Sequence, residues 1–193
     1  EKADFDNTVR EAKHHFGNNV TVIQYPLQQG EGFHAIIDVL RMTMYKFKDT
    51  GGKPEKLAIP PEEKEKADLL HKELIEAVAG NDETLMEKYF EKGELDEDEM
   101  KAGMKKAMIH HDLFPLFCLS AERNMGSGRL MGFIDNVCPS ANEMPPQLTK
   151  AGTQLECSEK GPVVIFIYKT VSEPHVGELS YFKVYSGVVK SGM

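Results

Sequence analysis

Apolar residues recur at helical spacing near the start of the chain. Phe5, Val9, Ala12 and Phe16 fall on one stripe, Asp4 or Asp6 stands in place to cap the helix, and Gly17 can end it. The pattern then shortens. Val20-Thr21-Val22-Ile23-Gln24-Tyr25 alternates with β-branched residues and predicts a strand closed by Pro26. Phe33 to Phe47 fits both periods. Phe33, Ile36, Ile37, Leu40 and Met44 suit a helix, whereas Met42 and Met44 against Thr43, Tyr45 and Phe47 suit a strand, and periodicity leaves both open. Asp49-Thr50-Gly51-Gly52-Lys53-Pro54 predicts a turn, and Ile59-Pro60-Pro61 opens a helix.

Three helices are expected next. The first buries Ala67, Leu70, Leu74 and Val78 and turns Glu65, Asp68, Lys72 and Glu76 outward, with Leu69 near that polar side. Asn81 or Asp82 caps the second, which faces Leu85, Met86, Tyr89 and Phe90 inward and stops at Gly93. Asp96 and Glu99 have capping-box spacing for the third, whose Met100, Met104 and Met108 form a core stripe. Leu113 to Leu119 is a short continuous apolar run, as in a strand buried on both faces of a parallel sheet. Gly126 and Gly128 turn the chain into a helix presenting Leu130, Ile134 and Val137 and ending at Pro139, which completes an α/β unit. Ala141 to Lys160, with Pro145-Pro146, reads as a linker. Val163 to Tyr168 and Leu179 to Val189 predict strands, in a stretch of only about 30 residues that is short for an independent barrel.

Composition narrows the class. With 40% apolar residues in 193, the chain can build a core. Cys118, Cys138 and Cys157 lie far apart without a Cys-x-x-Cys pair, which fits neither a disulfide framework nor a zinc site and points to a reducing, cytoplasmic setting. The sequence shows no secretory leader and no apolar run of about 18 residues, so no membrane association is expected. It opens at Glu1 without an initiator methionine, as an excised piece would. The net charge of −8 argues against independent nucleic-acid binding. From Glu62 to Glu99 the net is −10, which leaves +2 for the remainder, so the acidity belongs to one helical segment, where solvation alone would also place it.

Candidate chemistry is sparse. Gly30-Glu31-Gly32-Phe33-His34-Ala35 matches Gly-x-Gly-x-x-Ala, and Asp49 follows as a possible ribose acid. A dinucleotide-binding turn of that type requires a long helix directly afterwards and a parallel return. Asp49-x-x-Gly52 imitates a GTPase motif but reads as a turn. The adjacent pairs His14-His15 and His110-His111 have the wrong spacing for helical metal ligands, and Glu94 to Glu99 lacks the calcium-loop glycine. There is no Gly-x-Ser-x-Gly elbow and no phosphate loop of the form Gly-x-x-x-x-Gly-Lys-Ser/Thr. Ser120-Ala121 remains, in a polar loop after an apolar strand, where open α/β sheets bind ligands.

A series of matches surrounds that loop: Gly30-x-Gly32-Phe33, Ile37-Asp38-Val39, Leu74 to Ala79, Leu85 to Tyr89, Ser120-Ala121, Asn124-x-Gly126, and Val176 to Gly187 ending in Val-Tyr-Ser-Gly. The chain thereby resembles elongation factor G over essentially its whole length. The resemblance implies an internal piece of a ribosome-associated GTPase that promotes translocation by GTP hydrolysis. Its implied fold is α/β and α+β: the C-terminal part of a P-loop GTPase domain (1–17 and 112–140), an inserted α+β subdomain (18–111), a linker (141–160) and the first strands of a β-barrel second domain (161–193). On that alignment Phe33 to Phe47 becomes strand.

By the same resemblance Ser120 and Ala121 lie beside a guanine, with backbone N–H groups around Ala121 reading its carbonyl oxygen. GTP or GDP with Mg²⁺ belongs to the full-length factor. The phosphate loop, switches and Asn-Lys-x-Asp motif lie outside this stretch, so no catalytic residue, metal ligand or GTPase activity is expected within it. The family's insert contacts the C-terminal domain of the ribosomal stalk protein, and the helical wheel nominates Glu65, Asp68, Leu69, Lys72 and Glu76 for that contact. Leu119, Glu122-Arg123 and Ser172-Glu173-Pro174 depart from the usual family residues, which suggests a divergent paralogue. The competing expectation is a stand-alone dinucleotide-binding enzyme built on Gly30-x-Gly32.

Overall fold

The computed structural model describes residues 3–80 and 82–193, which form two compact units, Glu1–Cys138 and Pro139–Met193. In the first, helix α1 (Phe5–Phe16) starts at Asp4, whose carboxylate accepts from the Asn7 N–H at 2.9 Å, and stops at Gly17 with φ 81°. Its apolar stripe is shallower than expected. Phe5, Val9 and Ala12 are half-buried, while Phe16, in the last turn, is exposed.

The strand expected over Val20–Tyr25 is divided. Strand β1 (Val20–Val22) joins a parallel pair with β6 (Phe114–Leu116), and β2 (Gln24–Pro26) joins an antiparallel sheet. Ile23 serves both: its N–H donates to the Leu116 carbonyl and its own carbonyl accepts from Val39 N–H, each at 2.9 Å. One residue thus carries the backbone ladder from one sheet into the other.

The antiparallel sheet has the order β2-β3-β4-β5, with β3 at Ala35–Asp38, β4 at Thr43–Lys46 and β5 at Glu55–Leu57. The ambiguous stretch is therefore a hairpin, turned at Met42 with φ 47°. Its ambiguity has a physical cause. All four β3 residues are buried, Ile37 on the larger core and Ile36 with Tyr45, Phe47 and Met125, so no polar alternation marks the strand. Strand β5 has no comparable apolar signal: Glu55 and Lys56 are exposed and Leu57 is half-buried.

Helices α2 (Pro61–Ala79), α3 (Glu83–Lys92) and α4 (Glu97–Ile109) complete this core. Ala67, Leu74 and Val78 face inward as expected, joined by Ile75 and Ala79, and Leu70 is half-buried. Asp82 caps α3; Asn81, the alternative, lies outside the described residues. Phe90 corrects the expectation for α3: it is 78% exposed, because Leu85, Met86 and Tyr89 already fill the side facing the core. The Asp96/Glu99 capping box is present, Met100 and Met104 are buried, and Met108 is half-buried. At Gly103 an added Cβ would lie 2.4 Å from Val78 Cγ1 and 2.7 Å from Leu85 Cδ1, so only glycine permits this close approach of α4.

Strand β6 is less enclosed than its apolar run suggested. Among the described residues it pairs only with β1; Phe114 is 37% exposed and Pro115 and Leu116 are half-buried. A strand paired on one edge of a two-stranded sheet has no second neighbour to enclose it. Helix α5 (Ser127–Asn136) packs Phe133 edge-on against Phe117, with ring centroids 4.8 Å apart, and Val137 just beyond it is buried, whereas Ile134 is exposed.

In the second unit, the stretch read as linker contains a short hairpin, β7 (Gln147–Leu148) with β8 (Gln154–Leu155). Two-residue strands leave almost no periodic signal. Strands β9 (Val164–Glu173) and β10 (Gly177–Ser186) form a long antiparallel hairpin with two register irregularities. The whole is a mixed α/β structure of small sheets with five helices among the described residues, and no closed barrel forms among them. Nor is any described helix long and apolar enough to cross a membrane.

Candidate functional site

Ser120-Ala121 opens a tight loop between β6 and α5. Ser120 N–H donates to Met125 O at 2.9 Å and Met125 N–H returns to Ser120 O at 3.0 Å, so the two residues pinch the loop at its base. Inside it, Asn124 N–H donates to Ala121 O at 3.1 Å, and Ser120 Oγ accepts from Arg123 N–H at 3.4 Å. Asn124 has φ 50°, a conformation that asparagine tolerates better than most residues. The Ala121 N–H, on an exposed residue, finds no partner among the described residues, which leaves a donor for an external acceptor between Ser120 and Glu122, although Ala121 does not itself line the neighbouring cleft.

Beside the loop lies a cleft of about 840 Å³. Ala3 to Phe5 and Thr8 supply one side, the Pro26 to Phe33 turn a second, and Leu116 to Ser120 with Glu122 and Arg123 a third. The Gln29 side-chain carbonyl accepts from Phe5 N–H, tying the turn to the start of α1. Cys118 lines the cleft, and burial pushes its thiol up to about 12, which keeps it protonated and unreactive at neutral pH.

Several contacts from the antiparallel subdomain hold the loop and the helix that follows it. Gly52 N–H donates to Asn124 O at 3.1 Å, and Gly51, at φ 69°, runs so close that an added Cβ would lie 1.8 Å from Arg123 O. Arg123 Nη1 donates to Glu31 O at 3.3 Å. Deeper, Asp38, only 1% exposed, accepts from Arg129 Nη2 at 2.7 Å, Gln24 Nε2 at 3.0 Å and Arg41 N–H at 2.9 Å. The Arg129 guanidinium also lies 4.5 Å from the Tyr45 ring centroid. Among the described residues, Gln24 Oε1 and Arg129 Nε find no partner and stay buried beside a cavity of about 120 Å³, polar enough for ordered water.

Sequence reasoning singles out Ser120 and Ala121, reaches Asp38 only as part of a matching tripeptide, and takes Gly51-Gly52 only as a turn. Arg123 enters as a departure from family usage, and Gln24, Arg129 and the Arg123 contact to Glu31 carry no signal. The contacts of Arg123 and Arg129, and the approach of Gly51, join residues some 70 to 90 positions apart, which no local pattern encodes.

Glu65, Asp68, Leu69, Lys72 and Glu76 all lie exposed on α2, with Leu69 58% accessible. Their spacing places them on one stripe. Lys64 approaches Asp68 at 3.9 Å and Lys72 approaches Glu76 at 3.8 Å, both long i,i+4 pairs that leave the carboxylates available. The stripe is separate from the cleft lining.

Gly30–Gly32 forms a single 3₁₀ turn, followed by β3 antiparallel to β2. The helix and parallel return that a dinucleotide-binding turn requires directly after Gly32 are not formed there. His14, His15, His110 and His111 stand at the surface, and no cluster of three or more potential metal-binding side chains occurs among the described residues.

No family model matches the chain. Among solved structures, it is similar to the crystal structure of ttk003000868 from Thermus thermophilus, with a TM-score of 0.71 and 25% sequence identity over 96% of this chain. The chain spans about a quarter, 26%, of that protein's length.

Proposed function

We propose that this chain is part of a ribosome-associated translational GTPase of the elongation factor G type, a protein that promotes translocation by GTP hydrolysis. The observation that carries the reading is the Ser120–Met125 loop: pinched at its base, lining a cleft through Ser120, Glu122 and Arg123, and carrying the free Ala121 N–H in the turn beyond the parallel strand β6. Such an N–H suits the carbonyl oxygen of a guanine, an acceptor where adenine carries an amino donor. Ser120 shapes the loop by accepting from Arg123 N–H and would stand beside the base.

In this reading the parallel β1–β6 pair with α1 and α5 is the end of a P-loop GTPase sheet, and the antiparallel sheet with α2, α3 and α4 is its insert. The β9–β10 hairpin, with large apolar residues exposed, suits strands of a larger barrel domain. GTP or GDP with Mg²⁺ binds the whole factor, where the phosphate-holding segments supply the hydrolytic chemistry. This chain alone contributes base recognition and a partner surface, and neither binds GTP tightly nor hydrolyses it. A micromolar affinity of the isolated chain for labelled GDP would contradict that division of labour.

The partner surface is the α2 stripe. Glu65, Asp68 and Glu76 attract a basic helix and Leu69 gives it apolar contact, which fits the C-terminal domain of the ribosomal stalk protein. Titrating that domain into the chain should move backbone amide signals centred on Glu65 to Glu76, and less so at high salt. Unchanged spectra at low salt would remove α2 as the docking surface.

A further inference from the structure

The Ser120–Met125 loop does not hold its shape alone. Its internal bonds are few, one of them is long, and Asn124 adopts a positive φ. Two turns that are distant in sequence complete it. The Asp49–Gly52 turn is itself closed by Gly51 N–H to Lys48 O at 2.8 Å, and it donates through Gly52 N–H to Asn124 O. The Gly30–Gly32 turn accepts from Arg123 through the Glu31 carbonyl. That second turn also lines the cleft onto which the loop opens.

We infer that Gly51, Gly52 and the Glu31 carbonyl are positioning elements for the base-reading loop, so that the antiparallel subdomain sets both the geometry of the Ala121 N–H and the selectivity for a guanine carbonyl. This inference rests on the reading of Ser120-Ala121 as the guanine loop. The contact at Gly51 is specific. Both Gly51 and Gly52 have positive φ, at 69° and 87°, so alanine is strained at either position. Only at Gly51 would the new methyl meet the loop, at 1.8 Å from Arg123 O; at Gly52 nothing lies within 4 Å. Gly52→Ala therefore reproduces the backbone strain without the collision, and the difference between the two variants isolates the push on the loop.

The test has two readouts. In this chain, amide hydrogen exchange at Ser120 and Met125 should be about tenfold or more faster in Gly51→Ala than in Gly52→Ala, since displacing Arg123 O opens the Ser120–Met125 pair. Equal exchange in the two variants would overturn the positioning role. If Gly51→Ala does not fold, Arg123→Ala removes the guanidinium bond to Glu31 O and must itself accelerate exchange at both amides; unchanged exchange there has the same adverse meaning.

In the full-length factor, GDP is compared with the diphosphate of 2-aminopurine riboside, which lacks the base carbonyl. Gly51→Ala should reduce the preference for GDP by more than Gly52→Ala does, since both strain the turn and only the first drives a methyl into the loop. A loosened loop with unchanged preference would overturn the selectivity claim. An unmodified factor that binds no guanine nucleotide would instead overturn the proposed function, and the exchange comparison would still decide whether the turns position the loop.

Discussion

The antiparallel sheet of the first unit and the β9–β10 hairpin of the second are built from the same kinds of residue and meet opposite environments. Ile36, Ile37 and Tyr45 are shielded almost completely, on two different cores. Ile165, Phe166, Ile167 and Tyr168 form a consecutive exposed run, with Phe166 55% accessible. A run of β-branched and aromatic residues therefore specifies strand but not burial. What differs is the cover: α2, α3 and α4 share a core with Ile37, Met125 and Cys118 pack with Ile36 and Tyr45, and no helix belongs to the described residues of the second unit. Stability should follow that difference.

The largest effect is expected at the buried ion pair. Asp38→Ala leaves the Arg129 guanidinium and Gln24 amide without their acceptor and should cost about 3 to 5 kcal/mol in chemical denaturation of the first unit. A loss below about 1 kcal/mol would mean that water replaces the carboxylate at little cost. The comparison of strands comes next. Ile37→Ala should cost about 2 to 5 kcal/mol through cavity formation, and Ile167→Ala, on the exposed hairpin, less than about 1 kcal/mol. Equal losses would erase the contrast between the two regions.

Alkaline pH probes the same core more gently. Burial, and then the Glu63 carboxylate, raise the Tyr25 hydroxyl well above its ordinary value of 10.0. An acid with a raised folded value keeps its proton in the native state while the unfolded chain loses it. Stability is thus complete below pH 10 and falls above it, by up to about 1.4 kcal/mol per pH unit from this group. Tyr25→Phe should flatten that decline in denaturation midpoints measured between about pH 9 and 11; an unchanged slope would assign it to other groups. The smallest effect is kinetic. Cys157 is exposed in the second unit, whereas burial raises the thiols of Cys118 and Cys138, so a thiol reagent at about pH 8 should modify Cys157 first. Mass spectrometry of the partly labelled chain shows the order.

Helices are the most legible part of this sequence, because their ends carry local chemistry. Asp4, Gly17, Gly93 and the Asp96/Glu99 box act within about four residues of what they cap. Strands are legible in proportion to their length and one-sidedness. Strands β9 and β10 announce themselves, β3 is masked by burial on both faces, and β5, β7 and β8 are too short or too polar to show a period. The split at Ile23 has no local mark, since Val20 to Tyr25 looks uniform and only pairing with Leu116 on one side and Val39 on the other divides it.

The candidate loop is half legible. Ser120-Ala121 draws attention by its place after an apolar run and by its ordered neighbours. Its supports, Gly51, Gly52, Glu31 and the Asp38–Arg129 pair, depend on a subdomain whose packing the local sequence does not encode.

The most direct measurement is GTP hydrolysis by the full-length factor with and without ribosomes. The account predicts slow turnover by the factor alone, strong acceleration by ribosomes, and loss of much of that acceleration when Glu65, Asp68 and Glu76 are changed together to lysine. Absence of guanine-nucleotide turnover under both conditions would contradict the assignment to the translational GTPases.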